Sequence, residues 1–575
     1  MTTPISQPQG AADRYSSAIV SEIEKQLDSK VQYVPSPKYL DEDTIIVSAT
    51  QLIGTARKIK ESMPFLADVC GVDYPGRDKR FDVVYHFANI EKNQRLRVKV
   101  MVGEDESIPS LTSLFKGANW FERETFDMFG IKFDGHPNLR RILCHEDFVG
   151  HALRKDYPVD GNQPLITPLQ HVFEKDRERM MAEESDYLSD RVWINIGPAH
   201  PATHGTLRFM AVLSGETIEK VDVEIGYLHR CFEKMCETHN YNQIIPYTDR
   251  LNYLSSPLNN NAWCRTIEKM LGVEVPARAK TIRIILDEFS RIMDHFVCNS
   301  IQAVDLGALT NLWLGFSARE AVYDLLEKMS GARLTVSIAR VGGLGFDLPK
   351  DFVKQAKETL KVIKRSHYDL SSLLVKNRIF IDRTMNVGKI EGKNAVNWGF
   401  AGPCLRASGV PRDLRVDAPY DGYENFKFDI PVGHRGDVYD RFMVRMDEIL
   451  ESCKIIEQAL DNIPEGPISV KDPTITLPDK QDVYGNIEGL MNQFMLVIHG
   501  VKVPPSEIYC ASEGSNGELG FYVVSDGSGT PYRVKCRPPC FAIFQAFSEM
   551  VEGSLIADAV AALSSINIIA GELDR

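Results

Sequence analysis

The sequence predicts an α+β protein in which a small N-terminal α+β domain is joined by a charged helical linker to a large, mainly helical-bundle domain with β-rich margins. Apolar and polar residues alternate through 80–89 and again through 96–102, which predicts two strands in the first domain. In the second half of the chain, apolar residues recur at helical spacing in several long segments. A chain of 575 residues is too long for one ordinary core, so two or three domains are expected.

The first domain is expected to span residues 1–165. Its two strands are separated by the polar residues EKNQ, which predict a hairpin turn. Helices are predicted at Ala12–Gln26, ahead of the strands, and at Thr50–Met63. Strands and helices within one short stretch are what a small α+β unit requires.

The linker prediction rests on the tract HVFEKDRERMMAEESDYLSDR at 171–191. It is dense in both charges and poor in β-branched and aromatic residues. That composition is typical of an exposed helical segment between domains rather than of a core element. The linker is therefore placed at 166–188 and the second domain at 189–575.

The second domain is expected to begin with short strands and to continue with long helices. Glycines and prolines interrupt the apolar segments of 193–226, which favours short strands. Gly331 and Pro464 stand where helices are expected to stop. The segments with helical apolar spacing, which together predict a bundle, are 281–300, 311–331, 348–377 and 440–460.

Composition excludes several classes of function. Hydrophobic residues make up 43% and charged residues 25% of the chain, as in folded globular proteins. The net charge of −13 argues against a nucleic-acid partner, because nucleic-acid binding needs a basic face. No run of 18 apolar residues is present, so no transmembrane helix is predicted. The N-terminal MTTPISQPQGAADRY lacks the basic and apolar regions of a secretory signal, so none is expected.

The eleven cysteines form an odd set without any C-x-x-C pair. This pattern indicates a reducing compartment and mostly buried free thiols. The close pairs Cys231/Cys236 and Cys536/Cys540 have spacings that are atypical of zinc or iron–sulfur sites. A metal ion at either pair is not expected.

Two histidines four residues apart, His200 and His204, stand in the segment NIGPAHPATHG. On a helix that spacing would place both imidazoles on one face, where they could share a metal ion. Pro201 is tolerated only at a helix start, and Gly205 would end a helix within one turn, so a loop is favoured. The loop is either a set of independently directed site residues or a rigid turn with one histidine bonded to backbone.

Four further polar residues, in three segments, are candidates for a functional role. Glu233, in GYLHRCFEK, could pair with Arg230 on a solvated helix face, or a buried Arg230 guanidinium could lie near an electron-accepting centre and raise the potential of that centre. Tyr253 is either a core aromatic residue or a phenol that donates to a ligand carbonyl. Asp305 is alone in the apolar IQAVDLGAL, and it is expected to have a partner, because an unpaired buried carboxylate is costly. A histidine would serve.

Three acidic residues of the first domain, Glu122, Glu124 and Asp127, precede a glycine turn and the basic pair Arg140–Arg141. Paired carboxylates could act in general acid–base catalysis. Alternating charges around aromatic residues on a small domain more often form a docking surface for another chain, and this is the interpretation we favour.

Long motifs give the chain a family resemblance. In the first domain they are CGVDYPGRDKRFDVVYHF, ERETFDMFGIKFDGHPNLRRIL and GHALRKDYPV. In the second they are NIGPAHPATHG, GYLHRCFEK, PYTDRLNYLSS, GFAGPCLRASGVPRDLRVDAPYDGY and the terminal GELDR. In these motifs and their order, over nearly the whole chain, the sequence resembles the fused C and D subunits, the 30-kDa and 49-kDa families, of bacterial proton-pumping NADH–quinone oxidoreductase, which is respiratory complex I.

The resemblance implies that the second domain has a fold like that of the large subunit of nickel–iron hydrogenases, from which the D subunit descends. Hydrogenases hold their metal with two C-x-x-C pairs and a histidine after the second, whereas this chain has neither pair and no histidine after His499. The metal site is therefore expected to be lost, and a quinone cavity shared with the B subunit is expected in its place. The alternatives are a nickel–iron hydrogenase-like metalloenzyme and a non-catalytic scaffold subunit.

Carried over residue by residue, the resemblance assigns His204 and Tyr253 to the quinone head group and Asp305 to the pairing with His204. It assigns Arg230 to the face of a neighbouring [4Fe–4S] cluster. His204 and Tyr253 would hydrogen-bond the two quinone carbonyls and stabilise the charge that develops on reduction. Asp305 would orient His204 and keep it protonated. His200 is expected to be structural.

The resemblance also implies the surroundings of the chain. The chain alone would bind no cofactor: quinone would bind at the interface with the B subunit, which carries the [4Fe–4S] cluster, and NADH and FMN would bind elsewhere in the complex. No GxGxxG follows a predicted strand here. Further partners would be the cluster-bearing peripheral-arm subunits and the H subunit of the membrane, which forms the quinone channel. The chain would lie peripherally on the cytoplasmic side of the cell inner membrane, and proton translocation would occur in membrane subunits.

Three positions depart from the family pattern. Thr335 stands where many members have a histidine, which hints at a lower-potential quinone such as menaquinone rather than ubiquinone. Asn567 and Ala570 stand where an aspartate and a phenylalanine are usual. The C-terminal tail is therefore expected to dock differently.

Overall fold

The structure is a computed structural model that describes residues 21, 23–25, 32–34, 42–164, 169–184 and 191–575. The chain divides into two compact units, the first of Met1–Leu139 with Arg154–Asp156 and the second of Arg140–Leu153 with Tyr157–Arg575. The predicted α+β class is confirmed, with a small mixed first unit and a large helical second unit. No helix in the described ranges is long and apolar enough to cross a membrane.

The first unit is built on a five-stranded sheet with the order β1-β2-β5-β4-β3. The strands are Gln32–Val34 (β1), Asp43–Val47 (β2), Phe65–Asp73 (β3), Phe81–Asn89 (β4) and Gln94–Val102 (β5). The other elements are Leu52–Ser62 (α1), Ser107–Pro109 (β6), Ala118–Phe129 (α2) and Lys132–Asp134 (β7). β4 and β5 form the predicted antiparallel hairpin, and α1 confirms the helix predicted at Thr50–Met63. The helix predicted at Ala12–Gln26 falls largely outside the described residues.

Helix α2 packs against β3 and carries the three acidic residues of the predicted docking surface. That prediction is wrong for these residues, because Glu122, Glu124 and Asp127 are at most 4% exposed. Ser110 Oγ and Leu111 N donate hydrogen bonds of 2.6 and 2.7 Å to the Glu122 carboxylate. Burial raises the pKa of Glu122 to about 7, against the effect of these two bonds. The charge pattern of α2 could not show that other elements of the fold bury its acidic side chains.

The second unit begins with helix Leu169–Glu184 (α3) and a three-stranded antiparallel sheet. Its strands are Val192–Ile196 (β8), Arg208–Ser214 (β9) and Thr217–Glu224 (β10), as predicted for 193–226. The predicted linker helix is present, but it is not wholly exposed. Met180 packs against Met210 of β9, and Asp176 accepts a hydrogen bond from Arg208. The domain limits drawn from the sequence stay a prediction.

The remaining elements are long and short helices, two short paired strands, a second three-stranded antiparallel sheet and, after that sheet, four C-terminal helices. The helices are Phe232–Thr238 (α4), Ile245–Thr248 (α5), Ser256–Leu271 (α6), Ala277–Asp305 (α7), Thr310–Ser330 (α8), Phe352–Leu374 (α9), Arg378–Thr384 (α10), Gly392–Asn397 (α11), Gly402–Ala407 (α12), Leu414–Asp417 (α13), Val438–Asp461 (α14), Lys480–Gly485 (α15), Ile487–His499 (α16), Pro539–Phe544 (α17), Phe547–Val551 (α18), Ile556–Ile566 (α19) and Ala570–Asp574 (α20). The strands are Ala339–Arg340 (β11), Gly343–Leu344 (β12), Ser506–Glu513 (β13), Glu518–Ser525 (β14) and Arg533–Arg537 (β15).

Helices α7, α8, α9 and α14 form the bundle and confirm the long helices predicted from the sequence. Their apolar side chains, among them Phe289, Phe296, Leu360 and Ile449, make one continuous core. Helix α8 ends at Gly331, where a φ of 80° allows the chain to leave the helix without a side-chain clash. Helix α7 is enclosed by α6, α8, α14 and α19, so its polar residues are buried together with its apolar ones.

Charged side chains of α7, α12 and α14 meet in a buried network. Arg406 Nε donates to Glu448 Oε1 at 2.7 Å, and Arg406 Nη1 donates to Glu513 Oε1 at 2.8 Å. Nε2 of His295 lies 2.8 Å from Glu448 Oε2. The side chains of Arg406, Glu448 and His295 are 0% exposed. Partners within hydrogen-bond distance are the condition under which buried charges are tolerated.

Candidate functional site

The motif NIGPAHPATHG folds as a turn rather than as a helix that spans both histidines. Pro201–Thr203 form one turn of 3-10 helix, and Ala202 N donates to His200 Nδ1 at 3.2 Å. His204 follows with a φ of 55°, in the left-handed region. The preference for a loop is therefore confirmed, and the two imidazoles do not share a helical face. His200 caps the turn, which leaves His204 free to contact another element.

His204 bonds Asp305, the last residue of α7, which lies 101 residues further along the chain. Nε2 of His204 is 2.6 Å from Oδ2 of Asp305, and the two side chains are 14% and 13% exposed. Asp305 therefore has the histidine partner that its place in an apolar run requires. Because an ionised carboxylate can only accept, it takes the hydrogen on Nε2, and the bond to Asp305 does not use Nδ1, the other ring nitrogen.

Tyr253 begins a 3-10 turn that leads directly into α6. Its side chain is 41% exposed, which argues against a core aromatic residue. The next residue, Leu254, packs inward against Val297 and Ile569 instead. Partial burial raises the pKa of the Tyr253 hydroxyl, and the nearby Asp294 carboxylate adds to the rise. The phenol is therefore a hydrogen-bond donor at neutral pH.

Helix α7 contacts both turns, through Asp294 at the Tyr253 turn and through Asp305 at His204. At 1.5 Å per residue, these two positions on α7 are about 16 Å apart along the helix axis. Ile301, one turn before Asp305, packs into the same apolar cluster as Leu254. The residues that contact the His204 turn and the Tyr253 turn are thus on the same helix.

The segment GYLHRCFEK departs from its predicted helix face. Glu233 does not pair with Arg230: its carboxylate lies 2.7 Å from Arg533 Nη1 and accepts from Cys536 N at 3.0 Å. That pairing prediction is wrong, because Glu233 turns inward against β15, while Arg230 precedes helix α4 and is exposed. Arg230 is therefore not the buried guanidinium considered from the sequence, and its side chain is accessible to a neighbouring molecule.

The terminal GELDR is hydrogen-bonded to the segment around His229, and sequence reasoning missed this contact. Gly226 N and Leu228 N donate to the Asp574 carboxylate at 2.9 and 2.8 Å. Nδ1 of His229 lies 2.8 Å from the Asp574 carbonyl oxygen, 345 residues away in sequence. Burial alone would lower the pKa of His229, but its contacts with Cys231 and Asp574 raise it to about 9. A contact this distant leaves no local sequence signal.

The three departures from the family pattern lie in different surroundings. Thr335 is exposed, with a φ of 54°, and its hydroxyl donates to the neighbouring Leu334 carbonyl. Asn567 is buried and donates to Asp294 Oδ1 at 2.8 Å. A methyl group placed on Gly205 would lie 2.8 Å from the Cβ of Ala570, so the His204 turn packs closely on the start of α20. The C-terminal tail thus reaches both turns of the candidate site.

A cleft of about 530 Å³ is present in the second unit, but it is lined by other residues, among them Arg415, Tyr423, Phe426 and Lys454. In the ranges that the structure describes, no group of three or more His, Cys, Asp or Glu side chains is placed to hold a metal ion. The polar groups at the two turns are the imidazole of His204, the hydroxyl of Tyr253 and the carboxylate of Asp305.

Two family models match the chain and define its class. Residues 45–163 match the 30 Kd subunit of the respiratory-chain NADH dehydrogenase, and residues 305–575 match the 49 Kd subunit. Asp305 is the first residue of the second match. The chain is thus a fusion of two respiratory-chain subunits.

Relatives extend this likeness over most of the chain. It is 53% identical over 512 residues to the NADH-quinone oxidoreductase C/D subunit of Bdellovibrio bacteriovorus, which covers 89% of this chain and 91% of the relative. It is 40% identical over 544 residues to the C/D 2 subunit of Aquifex aeolicus, covering 90% and 92%. It is 49% identical over 403 residues to the D subunit of Leptospira biflexa, covering 70% and 99%. The chain belongs to the family of NADH–quinone oxidoreductase C/D subunits, which are subunits of complex I, and the resemblance drawn from its motifs is confirmed.

Proposed function

We propose that this chain forms part of the quinone-reduction site of a proton-translocating NADH–quinone oxidoreductase, with His204, Tyr253 and Asp305 as its catalytic residues. The observation that carries the proposal is the His204–Asp305 pair, which uses only Nε2 of the imidazole and lies partly exposed, so that Nδ1 would be the atom offered to a ligand. The hydroxyl of Tyr253, on a side chain that is 41% exposed, is the second donor. Two such donors suit the two carbonyl oxygens of a quinone.

Reduction of a quinone to a quinol adds two electrons and two protons, and negative charge develops on the two oxygens. The Tyr253 hydroxyl would donate a hydrogen bond to one oxygen. Because Asp305 accepts the Nε2 hydrogen, a protonated His204 presents its Nδ1 hydrogen to the other oxygen. That contact stabilises the developing charge, and the same hydrogen can then be transferred as a proton. Asp305 keeps the ring in one orientation throughout.

The electron donor lies outside this chain in our proposal. Electrons would arrive one at a time from the [4Fe–4S] cluster of the B subunit, and the exposed Arg230 would face that cluster. A guanidinium at that position would favour the reduced cluster electrostatically. NADH and FMN would bind in other subunits, so the chain alone would hold no cofactor.

The proposed partners are the B subunit, the cluster-bearing peripheral-arm subunits and the H subunit of the membrane. Helix α16 supports a docking role, because seven of its apolar side chains are at least 45% exposed: Ile487, Leu490, Met491, Phe494, Met495, Val497 and Ile498. Contiguous apolar surface of this kind marks interaction sites. The chain would lie peripherally on the cytoplasmic side of the inner membrane. Its coupling to proton translocation in the membrane subunits would be conformational and electrostatic.

The test is the activity of the assembled complex with Tyr253→Phe or His204→Ala. Each change removes one donor to the quinone, so we expect NADH–quinone reductase activity to fall by about 100-fold or more. NADH oxidation by ferricyanide, which does not need the quinone site, is expected to stay unchanged.

Tyr368→Phe is the matched control, because Tyr368 lies on α9 with 69% exposure and is distant in sequence from both turns. Its quinone reductase activity should equal that of the wild type. Unchanged quinone reductase activity in both Tyr253→Phe and His204→Ala would overturn the proposal and favour a non-catalytic scaffold subunit.

A further inference from the structure

The buried carboxylate of Asp294, in the middle of α7, collects hydrogen bonds from three separate segments. Asn252 Nδ2, in the residue before the Tyr253 turn, donates to Oδ2 at 2.7 Å. Asn567 Nδ2, between α19 and α20, donates to Oδ1 at 2.8 Å. The hydroxyl of Ser515, between β13 and β14, donates to Oδ2. Asp294 is 0% exposed, and these neutral donors give its buried carboxylate oxygens the hydrogen bonds that burial requires.

Asn252 is the residue that shapes the turn of Tyr253. It is the N-cap of that turn, and its Oδ1 accepts from Leu254 N at 3.2 Å. Its carbonyl oxygen accepts from Asn259 Nδ2 of α6 at 2.9 Å. The Asn252 side chain accepts from Leu254 N through Oδ1 and donates to Asp294 through Nδ2. The position of the Asp294 carboxylate therefore determines the orientation of the Asn252 amide, and that amide caps the turn.

We propose that Asp294 is a positioning residue for Tyr253: through Asn252 it fixes the turn that presents the phenol, and through Asn567 it ties that turn to the C-terminal tail. The inference rests on the proposed quinone-site function of Tyr253. It adds a residue that does not touch the substrate, and it gives the tail a part in the site. It also explains why an amide at position 567 suits this chain, since an amide can donate to the carboxylate.

Charges on neighbouring elements determine how Tyr253 responds to pH. Burial raises the pKa of Tyr253, the Asp294 carboxylate on α7 raises it further, and Arg319 on α8 opposes them. Tyr323, also on α8, adds a smaller rise. Asp294 also interacts electrostatically with Arg445 on α14 and with Glu572 on α20. Removing the charge of Asp294 therefore lowers the pKa of Tyr253.

The experiment uses the assembled complex with Asp294→Asn, Asn567→Asp and the double exchange of both residues. In Asp294→Asn, an amide hydrogen faces the amide hydrogen of Asn567, so the turn loses its fixed position. We expect the kcat for quinone reduction to fall by about 10- to 100-fold, and the alkaline limb of the pH profile to move to lower pH. Asn567→Asp places two carboxylates across one hydrogen bond, and a loss of similar size is expected.

The double exchange restores one donor and one acceptor across the same hydrogen bond, so it should recover most of the activity. Asp324→Asn, at an acidic residue of α8 whose side chain is 66% exposed, is the control and should leave kcat and the pH profile unchanged. Wild-type kinetics in Asp294→Asn, together with a loss in Tyr253→Phe, would overturn this inference alone. Wild-type kinetics in Tyr253→Phe would overturn the proposed function beneath it. A loss that the double exchange does not recover, with an unmoved alkaline limb, would make Asp294 merely structural and would also overturn the inference.

Discussion

The helical core and the candidate site each contain a histidine paired with a carboxylate, but the two pairs lie in different surroundings. In the core, His295 and Glu448 are 2.8 Å apart and 0% exposed, and Arg406 occupies the other carboxylate oxygen. At the candidate site, His204 and Asp305 are 2.6 Å apart, with 14% and 13% of their side chains exposed. The core pair is closed to any ligand, whereas the second pair is open on one side.

The closed pair shows what burial does to such groups. Burial lowers the pKa of His295, even though Glu448 works against the change. Burial alone would raise the pKa of Glu448, but the charge of Arg406 and the contact with His295 hold it well below its usual range. The pKa values of His295 and Glu448 are therefore determined by burial and by their contacts within the core. Residue type and pair distance do not distinguish the two pairs; the exposure of their side chains does.

The largest expected effect follows from opening the closed pair. Arg406→Met leaves Glu448 buried beside His295 without its guanidinium, and it also removes a partner of Glu513. Breaking a buried ion pair on one side costs about 3–5 kcal/mol, so the free energy of unfolding of the second unit should fall by that amount. Hydrogen exchange of the α14 amides in the isolated chain measures the loss.

Arg378→Met is the matched control for this change, because Arg378 pairs with Asp382 on the surface, with 93% and 67% of the side chains exposed. An exposed pair at this spacing contributes about 0.5 kcal/mol or less. Equal protection of the α14 amides in Arg406→Met and Arg378→Met would contradict the expected difference between a buried and an exposed ion pair.

The sequence predicted the elements that depend on local pattern and missed those that depend on distant contacts. The β4–β5 hairpin, the long helices α7 and α8 and the turn between His200 and His204 all follow from spacing and from the positions of proline and glycine. The need of Asp305 for a partner also followed from its apolar surroundings. That the partner is His204, 101 residues away, came from the family resemblance, since spacing carries no such information.

Burial of charged helices was the main failure of sequence reasoning, and its cause is physical. The acidic residues of α2 and Glu233 of α4 were expected to lie on surfaces, because charged residues are seldom buried. Glu122 is instead held by Ser110 and Leu111, and Glu233 by Arg533, 300 residues away. Such partners come from other elements of the fold, so the pattern within the helix cannot show them.

A second prediction concerns Glu122, a buried carboxylate with neutral partners, in contrast to Glu448, whose partners include the Arg406 guanidinium. Glu122 has only neutral donors, and burial raises its pKa to about 7, against a usual value of 4.5. The folded state therefore binds more protons than the unfolded state between about pH 4.5 and 7, so the stability of the first unit should fall as pH rises through this window. The loss amounts to about 3 kcal/mol above pH 7.

Glu122→Gln removes this titration, so the stability of the first unit should become nearly flat between pH 5 and 8. Hydrogen exchange of the β3, β4 and β5 amides, corrected for the intrinsic effect of pH, provides the measurement. Glu91→Gln, at an exposed residue in the β4–β5 turn, should keep the wild-type slope. A wild-type protein whose first unit gains stability across that range would refute the assignment.

The smallest effect on stability is expected where the surface is open and apolar. Phe494 lies on α16 with 60% of its surface exposed, so Phe494→Glu removes little packing within the chain. The free energy of unfolding of the isolated chain should change by about 0.5 kcal/mol or less, as for other exposed substitutions. Recovery of the other subunits with a tagged chain should fall sharply, because a charge would be buried at an apolar contact.

Tyr368→Glu, at the 69% exposed residue of α9, separates this effect from a general effect of added charge. It should leave both the stability of the isolated chain and the recovery of the other subunits unchanged. Loss of stability in Phe494→Glu would mean that α16 is held within its own chain. Normal recovery of all the other subunits would mean that the open helix is not a contact of the complex. Only unchanged stability with lost assembly makes α16 an apolar surface that the fold leaves open for a partner.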